Sequence, residues 1–275
     1  MNASTALSFA SQTSAFQQAL PVDVIRRNAP AVFAQSAHEC TSAKYTFIPT
    51  ERVLTGLMDA GFVPVQASQA RSRLPGREHH ARHVVRLRRR FETIELKDSI
   101  PEIVFLNSHD GTSAYQLRMG IFRVVCTNGL IVSRAALPAC YVAHRGNIVE
   151  EVVAAALRLS EQFKELAASI DQMEQRLLEP AEQIRFAERA LALRHPDIGA
   201  SGMQPSQLLS CRREEDDASD LWRVYNRVQE NLLRGGLSRR AVTGRLTRTR
   251  RITSIREDVR LNSALWDAAT ELLAA

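Results

Sequence analysis

The chain has 275 residues, 45% hydrophobic and 24% charged, enough to bury a sizeable core as one large domain or two small ones. Its net charge of +6 conceals two basic blocks: residues 71–90 carry eight arginines against Glu78, residues 234–260 carry nine against Glu257 and Asp258, and the remainder is net acidic. No stretch approaches the roughly 20 apolar residues of a membrane span, and no phosphate-binding glycine loop, GxSxG or zinc-finger spacing occurs, which argues against those enzyme and membrane classes.

The four cysteines, Cys40, Cys126, Cys140 and Cys211, are scattered without CxxC pairing, as expected of thiols in a reducing compartment. The opening residues lack a basic start and an apolar run long enough for a signal peptide, so a cytoplasmic protein is expected. Residues 1–21 read as a poorly ordered tail. A short helix is expected within Asp23–His38, with Val24, Ile25, Val32 and Phe33 as its apolar contacts. Tyr45–Ile48 reads as a strand ended by Pro49. Thr50 is placed to cap a helix over Glu51–Ala60, with Gly61 as its left-handed terminator.

Phe62–Val65 resumes extended structure. After an arginine-rich loop, His83–Glu95 alternates, with Val85, Leu87 and Phe91 opposing Val84, Arg86, Arg88 and Arg90. This predicts a strand with one solvated basic face. Glu102–Leu106 is a further apolar strand, Asn107–Gly111 a turn, and Ala114–Leu130 a strand or strand pair with a turn at Asn128-Gly129. Residues 22–146 therefore predict a mixed α+β region with an antiparallel or mixed sheet.

Residues 147–275 predict a helical region packed on it in one cooperative domain. Val149, Val152, Ala156, Leu159, Phe163, Leu166, Ile170, Met173 and Leu177 recur at steps of three and four, predicting a helix of about 30 residues whose seam packs internally or pairs two copies of the chain. Pro180 marks a break, with helix continuing to Arg194 before His195-Pro196. Asp197–Asp217 is a polar, acidic loop. Ser219 is placed to cap a third helix ended by Gly235-Gly236, a basic loop follows, and a last helix from about Asp258 presents Leu261, Leu265, Trp266 and Leu272.

The two arginine blocks are the first functional candidates. Guanidinium forks bind phosphate bidentately and stack on bases, which suits nucleic acid. The expected contacts are Arg82, Arg86, Arg88, Arg90, Arg239, Arg240, Arg245, Arg248, Arg250 and Arg251. Tyr45, Phe47 and Phe91, in or beside the expected sheet, would be stacking partners for a single strand. The bland alternative is a solvated basic surface paired with the acidic remainder. His109 beside Asp110 sets an imidazole next to a carboxylate, but neighbouring side chains diverge, and Asn, Asp and Gly explain the turn. Cys126 could supply a thiol near His109, or simply fill core. His79, His80 and His83 lie among arginines that repel a cation, so neither a metal nor any cofactor is expected.

Several separated motifs carry a resemblance. They are Pro101–Leu117 with its Asn107-Ser108-His109-Asp110-Gly111 turn, Gly120–Leu130 with Cys126, Asn128 and Gly129, His38-Glu39 with Tyr45–Pro49, Asp220–Trp222, Gln229–Leu237 and Leu261–Trp266. In this order they resemble the uncharacterised prophage- and plasmid-encoded proteins carrying domain of unknown function nine-three-two. The resemblance implies no catalytic residue. It implies a setting, mobile genetic elements of bacteria, whose accessory proteins handle DNA or counter host defence. A non-catalytic DNA-binding protein, single strands favoured, is therefore expected. The alternatives are a protein that blocks a host defence enzyme through its acidic Glu214–Asp217 segment and long helix, and a hydrolase or transferase using His109 and Asp110.

Overall fold

A computed structural model describes residues 19–42, 45–71, 76–90, 99–123, 129–132, 140–142, 148–196, 202–241 and 243–274. The chain divides into two compact units, residues 1–127 with 138–163, and residues 128–137 with 164–275. The expected α+β class holds: an antiparallel sheet with short helices precedes a helical half.

In the first unit, helix α1 (Val22–Asn28) and a single 3₁₀ turn at Pro30–Phe33 bury Ile25, Val32 and Phe33. Helix α2 (Thr50–Asp59) buries Val53, Leu54 and Leu57 and ends before Gly61, whose φ of +90° is the left-handed conformation its position predicts. Tyr45–Ile48 is not a strand; Tyr45 donates its N–H to Ser42 O and its hydroxyl to Ser108 O.

Strands β1 (Phe62–Gln69), β2 (His83–Arg89), β3 (Ser99–Asn107) and β4 (Tyr115–Arg123) pair antiparallel in chain order. The register stacks Val85, Phe105 and Leu117 in one row and Leu87, Ile103 and Met119 in the next, so one face is continuously apolar. A bulge between Pro64 and Gln66 keeps Pro64 tolerable on an edge strand. The chain passes through β5 (Gly129–Val132), assigned to the second unit, and returns with β6 (Cys140–Val142) alongside β4. Helix α3 (Ile148–Glu161) packs on α2, β3 and β4, and approaches α2 closely at Gly56, where a Cβ would stand 2.4 Å from Val149 Cγ1.

The expected 30-residue helix is two helices: α3 gives way at Gln162 to α4 (Phe163–Gln175). Ser160 Oγ donates back to Leu157 O at 2.8 Å and accepts from Arg89 Nη1 at 3.1 Å, diverting the helical ladder at the break. Val152, Ala156, Leu159, Phe163, Leu166, Ile170 and Met173 are buried as the seam predicts, whereas Leu177 is 68% exposed.

In the second unit, Pro180 opens α5 (Pro180–Arg194) behind a Glu179–Glu182 capping box. Helix α6 (Leu221–Arg234) is capped by Asp220, which accepts from Arg223 N, not by Ser219; the carboxylate sits where the first-turn N–H points. Between them, 3₁₀ turns at Pro205–Leu208 and Glu214–Asp216 structure the acidic loop. With α7 (Ile255–Ala274), α5 and α6 close a core in which Tyr225 stacks on Trp222 and meets Trp266 edge-on. The expected basic loop is a hairpin, β7 (Ser238–Arg240) with β8 (Leu246–Arg248).

Candidate functional site

Two groupings hold the residues that carry chemistry, one in each unit. The first surrounds Thr50. As the first residue of α2 it caps nothing; its Oγ1 lies 2.9 Å from His83 Nε2, 3.1 Å from His109 Nε2 and 2.9 Å from Asn107 Nδ2, and all four side chains are fully buried. The partners fix the protons. His83 Nδ1 faces Ala81 O at 2.9 Å, a pure acceptor, so Nδ1 carries hydrogen. Burial lowers the His83 pKa to about 4 despite that bond and the more distant charge of Asp110, leaving Nε2 bare near neutral pH. Thr50 is then placed to donate to His83 and to accept from Asn107 and from His109 Nε2–H, with the Tyr115 hydroxyl a further hydrogen-bond neighbour of Thr50 and Asn107.

A hydroxyl on an imidazole is the geometry of an activated nucleophile. Here it is sealed: Tyr115, bonded to Ile48 O, and Phe47, against the His109 ring at 4.9 Å, pack around the cluster. It works as a clamp joining the start of α2 to β2 and to the end of β3. The His109 backbone extends the clamp, donating to His80 O and accepting from His38 N.

Asn107, Ser108, His109, Asp110 and Gly111 are therefore a folding unit. His109 and Asp110 diverge: His109 enters the buried cluster, while Asp110 Oδ1 accepts from Thr112 N and Thr112 Oγ1 across the turn. Burial alone would raise the Asp110 pKa, but the bonds from Thr112 and Ser108 outweigh it and lower the value. Cys126 and Asn128 lie outside the described residues; Gly129 begins β5. Among the described residues no group of three or more His, Cys, Asp or Glu side chains is arranged to hold a metal ion.

The arginines fall into two classes. In the first block, the basic face of β2 is not solvated. Fully buried Glu102 on β3 takes Arg86 Nε at 2.5 Å and Arg88 Nε at 2.7 Å. Arg86 also bonds Gln66 Oε1 and lies 3.2 Å over the Phe122 ring. Arg82 donates to Thr112 O, and Arg90 is exposed. The sequence signal was present in Glu102, an acid inside an apolar strand, but its register against Arg86 and Arg88 is a tertiary fact. Neither Tyr45 nor Phe47 lies in the sheet, and Phe91 is outside the described residues.

In the second block, Arg239, Arg240, Arg245, Arg248, Arg250 and Arg251 are all exposed, and none has an ion-pair partner among the described residues. The ribbon carrying them is fixed at its base. Gly235, at φ +72°, would put a Cβ 2.6 Å from Arg250 O. Gln207 grips Ser238 through both N–H and C=O, and Arg194, one residue before His195, donates to Leu232 O and Arg250 O. Arg194 and Gln207 were invisible as anchors in sequence, since each acts across a long stretch of chain. The acidic turn keeps Glu214, Glu215 and Asp217 exposed, while Arg213 is bound to Glu230 at 2.8 Å.

A family model described as a domain of unknown function (DUF932) matches residues 37–266. Two proteins of Escherichia coli (strain K12), UPF0380 protein YafZ and UPF0380 protein YfjQ, are each 42% identical over 247 residues, covering 90% of this chain and 89% of their own length. No solved structure matches the chain.

Proposed function

This chain belongs to the family of the domain of unknown function DUF932, and we propose that it is a non-catalytic DNA-binding accessory protein of a mobile genetic element, acting in the cytoplasm through the β7–β8 ribbon. One observation carries this reading: six exposed arginines on one hairpin and its exit, without ion-pair partners among the described residues, where Arg86 and Arg88 of β2 are held on the buried carboxylate of Glu102. Unneutralised guanidiniums on a fixed support attract phosphate, and the gain on binding is release of counterions from the nucleic acid. The mobile-element setting comes from the resemblance of the sequence motifs.

Fluorescence anisotropy with labelled oligonucleotides at two salt concentrations tests it. Wild type should bind in the micromolar range or tighter, steeply weakened by salt. Alanine at Arg245, Arg248, Arg250 and Arg251 should flatten the dependence of log affinity on log salt by about three, at roughly 0.9 for each phosphate no longer neutralised. Absence of binding at low salt overturns the reading. The exposed acidic turn at Glu214, Glu215 and Asp217 favours one second reading, a surface for a basic host protein. Charge reversal there would weaken capture of that partner and leave oligonucleotide binding unchanged.

A further inference from the structure

Resting on the reading of the ribbon as a DNA contact, we infer that β7–β8 enters the major groove of duplex DNA, with Ser238, Arg240, Leu246 and Arg248 facing the base edges. The face follows from register. Ser238 pairs with Arg248 and Arg240 with Leu246, and directly opposed residues of an antiparallel pair project to the same side. Arg239 and Thr247 project to the other. With three paired residues per strand the ribbon is about 10 Å long at about 3.4 Å per residue, and a two-stranded ribbon fits a groove about 12 Å wide and 8.5 Å deep.

The ribbon buries almost nothing of itself. Every residue of β7 is exposed, and in β8 only Thr247 is partly covered. An isolated two-stranded hairpin is marginal in water, so the anchoring at Gly235, Gln207 and Arg194 holds out an element that no core requires. Its face joins two guanidiniums to one large apolar side chain, Leu246, 66% exposed. Arginine forks match guanine O6 and N7, and an aliphatic side chain matches the thymine methyl; both are displayed only in the major groove. Arg239, Arg245, Arg250 and Arg251 are left for flanking phosphates.

A single strand would call for aromatic stacking platforms. Among the described residues the exposed large hydrophobics are Val22, Met58, Leu177 and Leu246, none aromatic, which favours a duplex as the ligand of this ribbon. An RNA duplex, with its deep and narrow major groove, would refuse the ribbon.

The test compares a 20-base-pair DNA duplex, each of its single strands and an RNA duplex of the same sequence, with methyl green as a major-groove competitor and netropsin as a minor-groove one. Wild type should bind the DNA duplex at least about tenfold more tightly than the other probes, and methyl green alone should displace it. Arg240→Ala with Arg248→Ala should lose about tenfold or more on the duplex, and Leu246→Ala should lose less. All three positions are exposed, so far-ultraviolet circular dichroism and the thermal midpoint should be unchanged. Equal or tighter binding to single strands or RNA, displacement by netropsin, or full duplex affinity in the ribbon variants overturns the groove assignment and leaves nucleic-acid binding standing. Failure to bind any probe at low salt overturns both.

Discussion

Thr50 Oγ1 and His83 Nε2, 2.9 Å apart, tie the first turn of α2 to the first residue of β2 across 33 residues of chain. Because the same hydroxyl also serves His109 and Asn107, its loss takes a hydrogen-bond partner from three buried polar groups at once. Thr50→Val, close in shape, should therefore cost at least about 2–3 kcal/mol in urea unfolding of the intact chain. Thr50→Ser, which keeps the hydroxyl, should recover most of it. Equal costs for the two variants would mean that packing, not the hydroxyl, holds the cluster.

Stability should depend on pH through His83. Its folded pKa, about 4, lies below the ordinary value of 6.5, so the unfolded chain binds the proton first on acidification. The contribution is fully present above pH 6.5 and is lost as pH falls toward 4, by about 3 kcal/mol at 1.36 kcal/mol for each unit. Asp258 acts in the opposite direction. Burial raises its pKa from 3.8 to about 6, against the pull of Arg251 and the bond from Asn262, so it costs stability as pH rises from 3.8 to 6. Chemical denaturation from pH 4 to 7 should show His83→Gln removing the first slope and Asp258→Asn the second. Asp258→Asn should also raise stability at pH 7.

Much of the fold is legible in the chain because its elements are locally consistent. The alternation of Val85, Arg86, Leu87 and Arg88 fixes β2, and Gly61 and Pro180 end or begin helices where their backbone preferences require. The heptad seam names the buried residues of α3 and α4, yet hides the break at Gln162, since Ser160 disturbs the ladder through Arg89, a residue 71 positions away. The candidate site was legible in composition and not in pairing. Nothing local distinguishes Arg86, captured by Glu102, from Arg248, exposed on the ribbon, and nothing in the His109-Asp110 dipeptide points His109 at Thr50. Those distinctions are made by strand register and long-range hydrogen bonds.

The adjacent glycines at the foot of the ribbon should respond differently to substitution. Both have positive φ, +72° at Gly235 and +84° at Gly236, but only at Gly235 would a Cβ meet backbone, Arg250 O and Thr249 O at 2.6 and 2.8 Å. Gly236→Ala should cost about 1 kcal/mol, the conformational term alone. Gly235→Ala must also push the two ribbon legs apart, and should cost clearly more in thermal or urea unfolding. It should also weaken oligonucleotide binding, because it loosens the support of Arg250 and Arg251. Similar costs at both positions would remove the contact with Arg250 as the reason for a glycine.

Glu102 gives the two arginine blocks different surroundings. Its carboxylate is buried and holds Arg86 and Arg88, which retain only 16% and 14% exposure. Glu102→Ala would take a buried carboxylate away from two largely covered guanidiniums, and should cost about 3–5 kcal/mol. Arg86→Ala should also be costly, since it removes one of Glu102's two partners and the guanidinium over Phe122. Neither arginine has a fork to spare for phosphate without giving up a buried partner, so Arg86→Ala and Arg88→Ala should alter unfolding and leave the salt dependence of DNA binding near its wild-type slope. Arg245→Ala and Arg250→Ala should do the reverse, lowering the slope by about 0.9 each with little change in stability. Unfolding curves and anisotropy titrations on the same four proteins give both readouts, and a crossed result, with the β2 arginines setting the salt slope, would transfer the DNA contact from the ribbon to the sheet.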